Sequence, residues 1–447
     1  MDLHSVHSAS SRVDTIPAGT RLLASSVVIR HGDRAPIGNI FDRDVRGALR
    51  EAFWATAVLP PSDIESLNAR FRVRGTGSAR PPSAPRWPFG ALTRRGADQS
   101  FIIGRHLRHV YGPVLTAPSN VECRSTCVSR TVRTAQCFLS GLCTSSSSWD
   151  DGEVDDAALE SLAIVVEEAP EAWTIAHFNY ARALVPVMIE DYNSMNAALQ
   201  STPLAAEAKT ELQRALPQFR ERWGRASLLH FFDALRCRHS HRCGAIAGVD
   251  EAAIADGISA GIAGVFWRAF AERHGATSNG AMVSGALLEE VAVSFAVAAA
   301  AAVPGSTAAA RAASPSLRVY VGHDTTIMPL LVGLGLDSDE ESGATRPWPL
   351  YSSNVRLELL ALEPQEERAG VAAEASAPRD VALRVRVVYN GDVMRLPACG
   401  GVELCPLERF NALVMRARPR GWRTLARGDA AGGSPLAEAA DAGRNDQ

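Results

Sequence analysis

Two short apolar runs constrain this chain more than any other feature: Val27-Val28-Ile29 near the amino terminus, and Val319-Tyr320-Val321 far downstream. Each reads as a β-strand, and each ends in histidine chemistry. The first leads into Arg30-His31-Gly32-Asp33-Arg34-Ala35-Pro36, the second into Gly322-His323-Asp324-Thr325-Thr326. After the second run, Ile327, Leu330, Leu331 and Leu334 recur at helical spacing, which puts His323 and Asp324 on a strand-to-helix turn. In open α/β sheets, ligands gather outside the carboxyl ends of the strands. The two ends are therefore expected to face one pocket, although most of the chain separates them.

A neutral imidazole can attack phosphorus, and guanidinium groups match phosphate oxygens with forked, charge-assisted hydrogen bonds. His31 between Arg30 and Arg34 is thus laid out for a phosphate. A histidine between arginines is more often a solvated basic surface; the strand-end position and the downstream partners favour the site. For His323-Asp324 the bland alternative is a helix cap. A third piece is Glu122-Cys123-Arg124-Ser125-Thr126-Cys127-Val128-Ser129-Arg130-Thr131, after which Val132, Ala135, Phe138, Leu139 and Leu142 follow with helical period. Arg130 then stands at a helix amino terminus, where backbone N–H groups and the macrodipole favour an anion. On its own it would be read as a surface arginine.

These residues carry a family resemblance. The chain resembles the histidine acid phosphatases, the acid-phosphatase and phytase branch of the histidine phosphatase superfamily. Arg30 to Pro36 matches that branch's Arg-His-Gly-x-Arg-x-Pro motif, His323-Asp324 its distal pair, and Arg124 to Thr131 its Arg-Ser-Thr-x-x-x-Arg-Thr segment. Leu92 to Gly96, Phe232 to Cys237, Ser352 to Leu359 and Cys405 to Phe410 match in the family's order. Cys127 and Ser129 depart from it where many members carry Asp. The resemblance implies a three-layer α/β fold with a phosphoglycerate-mutase-like sheet flanked by helices, and a smaller, mostly helical region inserted over the active site. It also implies roles: His31 as nucleophile, Asp324 as proton donor, and Arg30, Arg34, Arg130 and His323 as phosphate ligands. No cofactor or metal is required.

Net charge is −3, with pI near 6.4, which suggests no nucleic-acid surface, so phosphate attraction must be local. No stretch approaches the roughly 20 apolar residues of a membrane span, and the alanine-rich run Val291 to Val303 reads as a buried helix. Residues 1–20 are polar, lack an apolar signal core, and read as a flexible lead. The eight cysteines nevertheless fall in close sets, which suits disulfides in an oxidising compartment, and the family's usual location agrees. The expectation is a secretory-pathway protein whose signal is missing or whose start is misassigned. Cys399–Cys405 is the disulfide the resemblance supports best. Cys237-Arg238-His239-Ser240-His241-Arg242-Cys243 offers zinc-type ligands, but so short a segment would struggle to wrap a tetrahedron; a disulfide or a plain exposed loop is the better account.

Along the chain, 21–143 and 303–415 are expected to form the α/β catalytic domain, 144–302 the helical cap, and 416–447 a partly disordered tail. Arg74 to Pro85 reads as a loop that either helps set specificity or is a solvent-exposed insertion. Glu363 to Asp380 reads as a disordered surface insertion. The resulting expectation is acid-optimal hydrolysis of a small-molecule phosphomonoester through a phosphohistidine on His31. The rivals are a phosphosugar or phosphoglycerate-type mutase of the same superfamily and a catalytically silent phosphate-binding protein. Substrate and oligomeric state are left open, a homodimer included.

Overall fold

The computed structural model describes residues 14–38, 47–75, 88–145, 147–150, 162–167, 186–203, 205–207, 210, 214, 228–243, 251–274, 277–302, 316–338, 346–363 and 382–417. Its frame is one mixed sheet of nine strands. These are β1 (Thr20–Arg30), β2 (Arg72–Gly75), β3 (Val121–Thr126), β4 (Ala163–Glu167), β7 (Leu317–Gly322), β8 (Asn354–Leu362), β9 (Leu383–Tyr389), β10 (Asp392–Met394) and β11 (Leu404–Pro406). A separate hairpin joins β5 (Arg273–His274) to β6 (Thr277–Ser278). The main sheet runs β10-β9-β8-β1-β7-β3-β4-β2, with β11 on the far side of β9. From β1 through β7, β3 and β4 to β2 the pairing is parallel, and from β1 towards β10 it is antiparallel.

Both faces of the central strands are buried, which explains their near-continuous apolar runs. Val27 and Ile29 on β1, with Val319 and Val321 on β7, pack against α3 (Arg94–Leu115) and α4 (Ser129–Cys143) through Ile103, Leu107, Phe138 and Leu139. Val28 and Tyr320 point the other way. There they meet α7 (Glu251–Ala271), α8 (Asn279–Ala301), α9 (Asp324–Gly333) and α10 (Leu407–Ala417) through Phe266, Leu288, Ile327 and Phe410. The result is helix, sheet, helix, as the resemblance implied. The remaining α-helices among the described residues are α1 (Gly47–Ala57), α2 (Pro61–Arg70), α5 (Pro186–Gln200) and α6 (Leu228–Ser240).

Four expectations need correcting. Residues 163–167, inside the stretch read as helical cap, form β4 and pair in parallel with both β3 and β2. The five-residue run Ala163 to Glu167 is too short for its periodicity to distinguish strand from helix. Residues 14–20 are not a loose lead: Asp14 pairs with Arg356 and His106, and the Thr15 carbonyl accepts from Arg386. Helix α8 is long and apolar enough to cross a membrane by length and composition; Leu287, Leu288, Val291 and Phe295 are in the core, while Val293 and Val297 are exposed. Fourth, the cysteine sets do not all pair. Cys399–Cys405 is bonded, whereas Cys123, Cys137 and Cys237 are buried thiols within regular elements. The expectations for 1–13, for 76–85 of the specificity loop, for 364–380 and for 418–447 fall outside the described residues.

Candidate active site

The register of β1 and β7 builds the site. Arg30 pairs with Gly322, so both strands end at the same level and the next residue on each is a histidine. The rings of His31 and His323 lie 5.5 Å apart, edge to face. The His31 amide donates to the Gly322 carbonyl at 2.9 Å, and its carbonyl accepts from Ser352 at 3.1 Å. Ser352 holds φ at 59°, a left-handed conformation that costs a serine energy, and the turn it makes presents Tyr351 to the site. Gly32 is required on steric grounds: a Cβ there would come 2.3 Å from the Gly96 carbonyl oxygen, and one on Gly96 would come 2.1 Å from that of Asp33. The nucleophile loop and the start of α3 therefore touch backbone to backbone.

His31 is 2 % exposed. Its Nδ1 lies 2.8 Å from the Gly32 carbonyl oxygen, which can only accept, so Nδ1 carries the proton and Nε2 keeps its lone pair. Burial lowers the pKa of His31 well below the ordinary value, and Arg130, Arg30 and Arg34 push it the same way. Neutral imidazole is thus the stable form even in mild acid.

The three arginines come from three elements. Arg30 ends β1, donates to the Pro349 carbonyl, and pairs with Asp324 Oδ2 at 2.7 Å. Its guanidinium lies 4.5 Å from the centre of the Tyr351 ring. Arg34 pairs with Asp233 Oδ1 at 2.5 Å, while Asp233 Oδ2 accepts from the Ile37 amide at 2.7 Å. Arg130 is the second residue of α4 and approaches His323 Nδ1 at 3.5 Å. Burial and the neighbouring Arg34 lower the Arg130 pKa to about 9, so it is still a cation throughout the acidic range.

His323 caps α9 and Asp324 is its first residue. Thr126, at the end of β3, meets His323 Nε2 at 3.0 Å. Because Arg130 can only donate, His323 Nδ1 is the acceptor, and Nε2–H donates to the threonine. Asp324 accepts from the Thr325 amide at 2.9 Å and from Trp348 Nε1 at 3.1 Å. Burial would raise its pKa, but Arg30 and Arg34, with those two donors, hold it below the usual carboxylate value. The structure therefore brings all six expected residues, Arg30, His31, Arg34, Arg130, His323 and Asp324, into one cluster, with Asp324 ion-paired to Arg30.

Sequence reasoning missed the residues that hold these six in place. Asp233 lay inside a quoted motif without a role, and Tyr351, Trp348 and Thr126 had none either. Asp33 was missed as well. It is wholly buried, and its carboxylate accepts from Thr93 at 2.7 Å, from Ser240 at 2.5 Å and from His241 Nε2 at 2.5 Å. The segment Cys237 to Cys243 is therefore no exposed loop. It continues α6, with Cys237 buried against Arg34 and Tyr351 and the Ser240-His241 turn fastened to Asp33. No group of three or more metal-binding side chains occurs among the described residues.

Comparison with curated proteins gives no match. Among solved structures, the chain is similar to a multiple inositol polyphosphate phosphatase of Bifidobacterium longum bound to inositol hexasulfate. Identity is 11%, over 93% of this chain and 96% of that one, with a TM-score of 0.55. The phytase of D. castellii gives 13% identity, 91% and 82% coverage and a TM-score of 0.51. The phytase of Citrobacter braakii gives 14%, 90%, 99% and 0.50. At such identities the likeness speaks for the fold. The family model described as histidine phosphatase superfamily (branch 2) matches residues 22–172, the part that carries His31, Arg34 and Arg130. That match, with the distal His323-Asp324 pair that the sheet brings back to it, makes the chain similar to branch 2 of the histidine phosphatase superfamily.

Proposed function

We propose that this protein hydrolyses phosphomonoesters through a phosphohistidine on His31. The observation that carries the reading is the state of that side chain: neutral, buried, its Nδ1 proton tied to Gly32, and its Nε2 open beside three guanidiniums. In the first step Nε2 attacks phosphorus in line, the N–P bond forms and the ester P–O bond breaks. Asp324 gives its proton to the departing alkoxide. In the second step a water attacks phosphorus, Asp324 takes the water's proton, and phosphate leaves His31. Arg30, Arg34 and Arg130 hold the non-bridging oxygens, joined by His323 once the entering phosphate draws Arg130 away and His323 Nδ1 takes up a proton, each charge-assisted bond worth about 1.5–3 kcal/mol where it tightens in the transition state.

The Arg30–Asp324 ion pair is part of this reading. An entering phosphate dianion competes for Arg30 and adds negative charge beside Asp324, and both effects favour its protonated form. Activity should thus be highest in acid and fall as pH rises and Asp324 stays ionised. The mutase reading shares the first step but needs the phosphate returned to a second hydroxyl; nothing in the cluster singles that out.

The test is hydrolysis of an alkyl phosphate, read as released phosphate, across a pH series from acid into alkali, with chelator present, beside His31→Ala. Acid-optimal turnover that vanishes in the variant supports the reading. A flat profile into alkali would remove Asp324 as the acid, and an active His31→Ala would remove the phosphohistidine.

A further inference from the structure

Guanidiniums crowd His31, yet the carboxylate that stands between Gly32 and Arg34 in the chain pairs with none of Arg30, Arg34 and Arg130. Asp33 is wholly buried. Its Oδ1 accepts from Thr93 at 2.7 Å and from His241 Nε2 at 2.5 Å, and its Oδ2 accepts from Ser240 at 2.5 Å. Burial alone would raise its pKa, but His241, Ser240 and Thr93 hold it below the ordinary carboxylate value, so the group is ionised and accepts from all three. The backbone of the same residue is held as well: its amide donates to Gln99 Oε1 and its carbonyl accepts from the Thr93 amide, both at 3.0 Å. A buried polar network with its partners in place makes a loop rigid. Asp33 therefore serves position and leaves the arginines' charge uncompensated.

His241 follows α6, and a strained turn puts it there. Arg242 holds φ at 50°, a left-handed conformation that a residue with a Cβ adopts at a cost. The amides of Arg242 and Cys243 close on the His239 and Arg238 carbonyls at 3.1 and 3.0 Å, which ends the helix. The imidazole stands edge to face against Trp54 at 5.1 Å and Phe53 at 6.1 Å, both on α1, and these contacts set the plane of the ring. A carboxylate only accepts, so Nε2–H points at Asp33. Helix α6 thus grips the nucleophile loop at two levels: through Asp233 on Arg34 and the Ile37 amide, and about two turns later through His241 on Asp33. One neighbour of Asp33 is Gly32, whose carbonyl takes the His31 Nδ1 proton and so aims Nε2. The other is Arg34, which Asp233 holds independently. Releasing Asp33 from His241 loosens the His31 ring before it loosens the arginine.

We propose that His241 is a positioning residue for His31: acting through Asp33, it holds the Gly32 turn and with it the imidazole that faces the phosphate. The kinetic test rests on the phosphohistidine reading; the spectroscopic one does not. In rapid-quench mixing with an alkyl phosphate, the rate constant of His31 phosphorylation reports on aim, and the amplitude reports on the folded fraction. His241→Leu should lower that rate constant by about tenfold or more at unchanged amplitude, because a misplacement on the order of 1 Å suffices. His241→Gln, whose side-chain amide can reach the place of Nε2, should recover part of the loss. Asp33→Asn should resemble His241→Leu, and the double variant should be no slower than the slower single one. Inhibition by inorganic phosphate should stay near the wild-type value in His241→Leu, since Arg34 keeps Asp233. An unchanged rate constant in His241→Leu, losses that multiply in the double variant, or a loss of amplitude alone would overturn the proposal. If the wild-type protein forms no phosphoenzyme, the phosphohistidine reading fails, and nitrogen NMR of the resting protein decides the proposal. His31 should carry its proton on Nδ1 in the wild type and divide it between both nitrogens in His241→Leu; identical His31 signals in the two proteins would overturn it.

Discussion

The two ends of β1 carry buried charge in opposite ways. At its carboxyl end, Arg30, Arg34 and Arg130 surround His31 and, among the described residues, share only Asp233 and Asp324. Five residues back, roughly 16 Å along the strand, Ser25 pairs across the sheet with Glu358, and there the charges close on one another. Glu358 accepts from Tyr111 at 2.8 Å and from Arg386 at 2.6 Å, and Arg356 takes Asp14 at 2.5 Å. Arg386 is completed by the Thr15 carbonyl at 2.7 Å. One end is a charge-matched network that holds the amino-terminal segment to the sheet. The other keeps surplus positive charge, which costs stability and makes a place for an anion. Buried charge marks a binding site where the complement is missing from the chain itself.

That contrast can be broken by mutation. The largest effect should come from the site end: Asp324→Asn should lower kcat by about a hundredfold or more for an alkyl phosphate, and far less for 4-nitrophenyl phosphate, whose leaving group needs no proton. Equal losses on both esters would remove Asp324 as the donor. Arg34→Lys keeps the charge but loses the fork that spans Asp233 and substrate, and kcat/KM should fall by about tenfold or more. Full activity in that variant would mean that Arg34 holds charge and not geometry.

The charge-matched end should respond in stability. Asp14 has its pKa lowered to about 2: burial opposes the shift, but His106 and Arg356 outweigh it. Its folded value lies below the unfolded one, so the stabilisation is complete above roughly pH 5 and is lost as pH falls towards 2. Asp14→Asn should therefore cost about 2 kcal/mol in urea unfolding at pH 7, with the difference shrinking in acid and activity at pH 5 little changed. A difference that did not narrow in acid would mean that the carboxylate charge was not what mattered.

The same contrast explains what could be read from sequence. Val27-Val28-Ile29 and Val319-Tyr320-Val321 announce buried strands, and the residues that follow each run name its chemistry, so His31, His323 and Asp324 were legible from local pattern. The helical period after Arg130 likewise fixes it near a helix start. What sequence could not supply were partners distant along the chain. Arg34 meets Asp233 199 residues away, and Asp33 meets His241 208 residues away, pairings that only the packing of α6 creates. Trp348 and Tyr351 stand in a segment with no periodicity, where the strained turn at Ser352 decides their direction. Strand β4 was hidden because five apolar-to-acidic residues fit either element until β2 and β3 are placed beside them.

The central claim is that His31 is the group that takes the phosphate. Rapid-quench mixing of the protein with a phosphomonoester at acidic pH, followed by denaturation in alkali and peptide mass spectrometry, tests it directly. The account predicts an acid-labile, alkali-stable phosphate on the peptide containing His31, formed faster than steady-state turnover and absent from His31→Ala. Turnover without any phosphoenzyme, or a phosphate found on another residue, would contradict it.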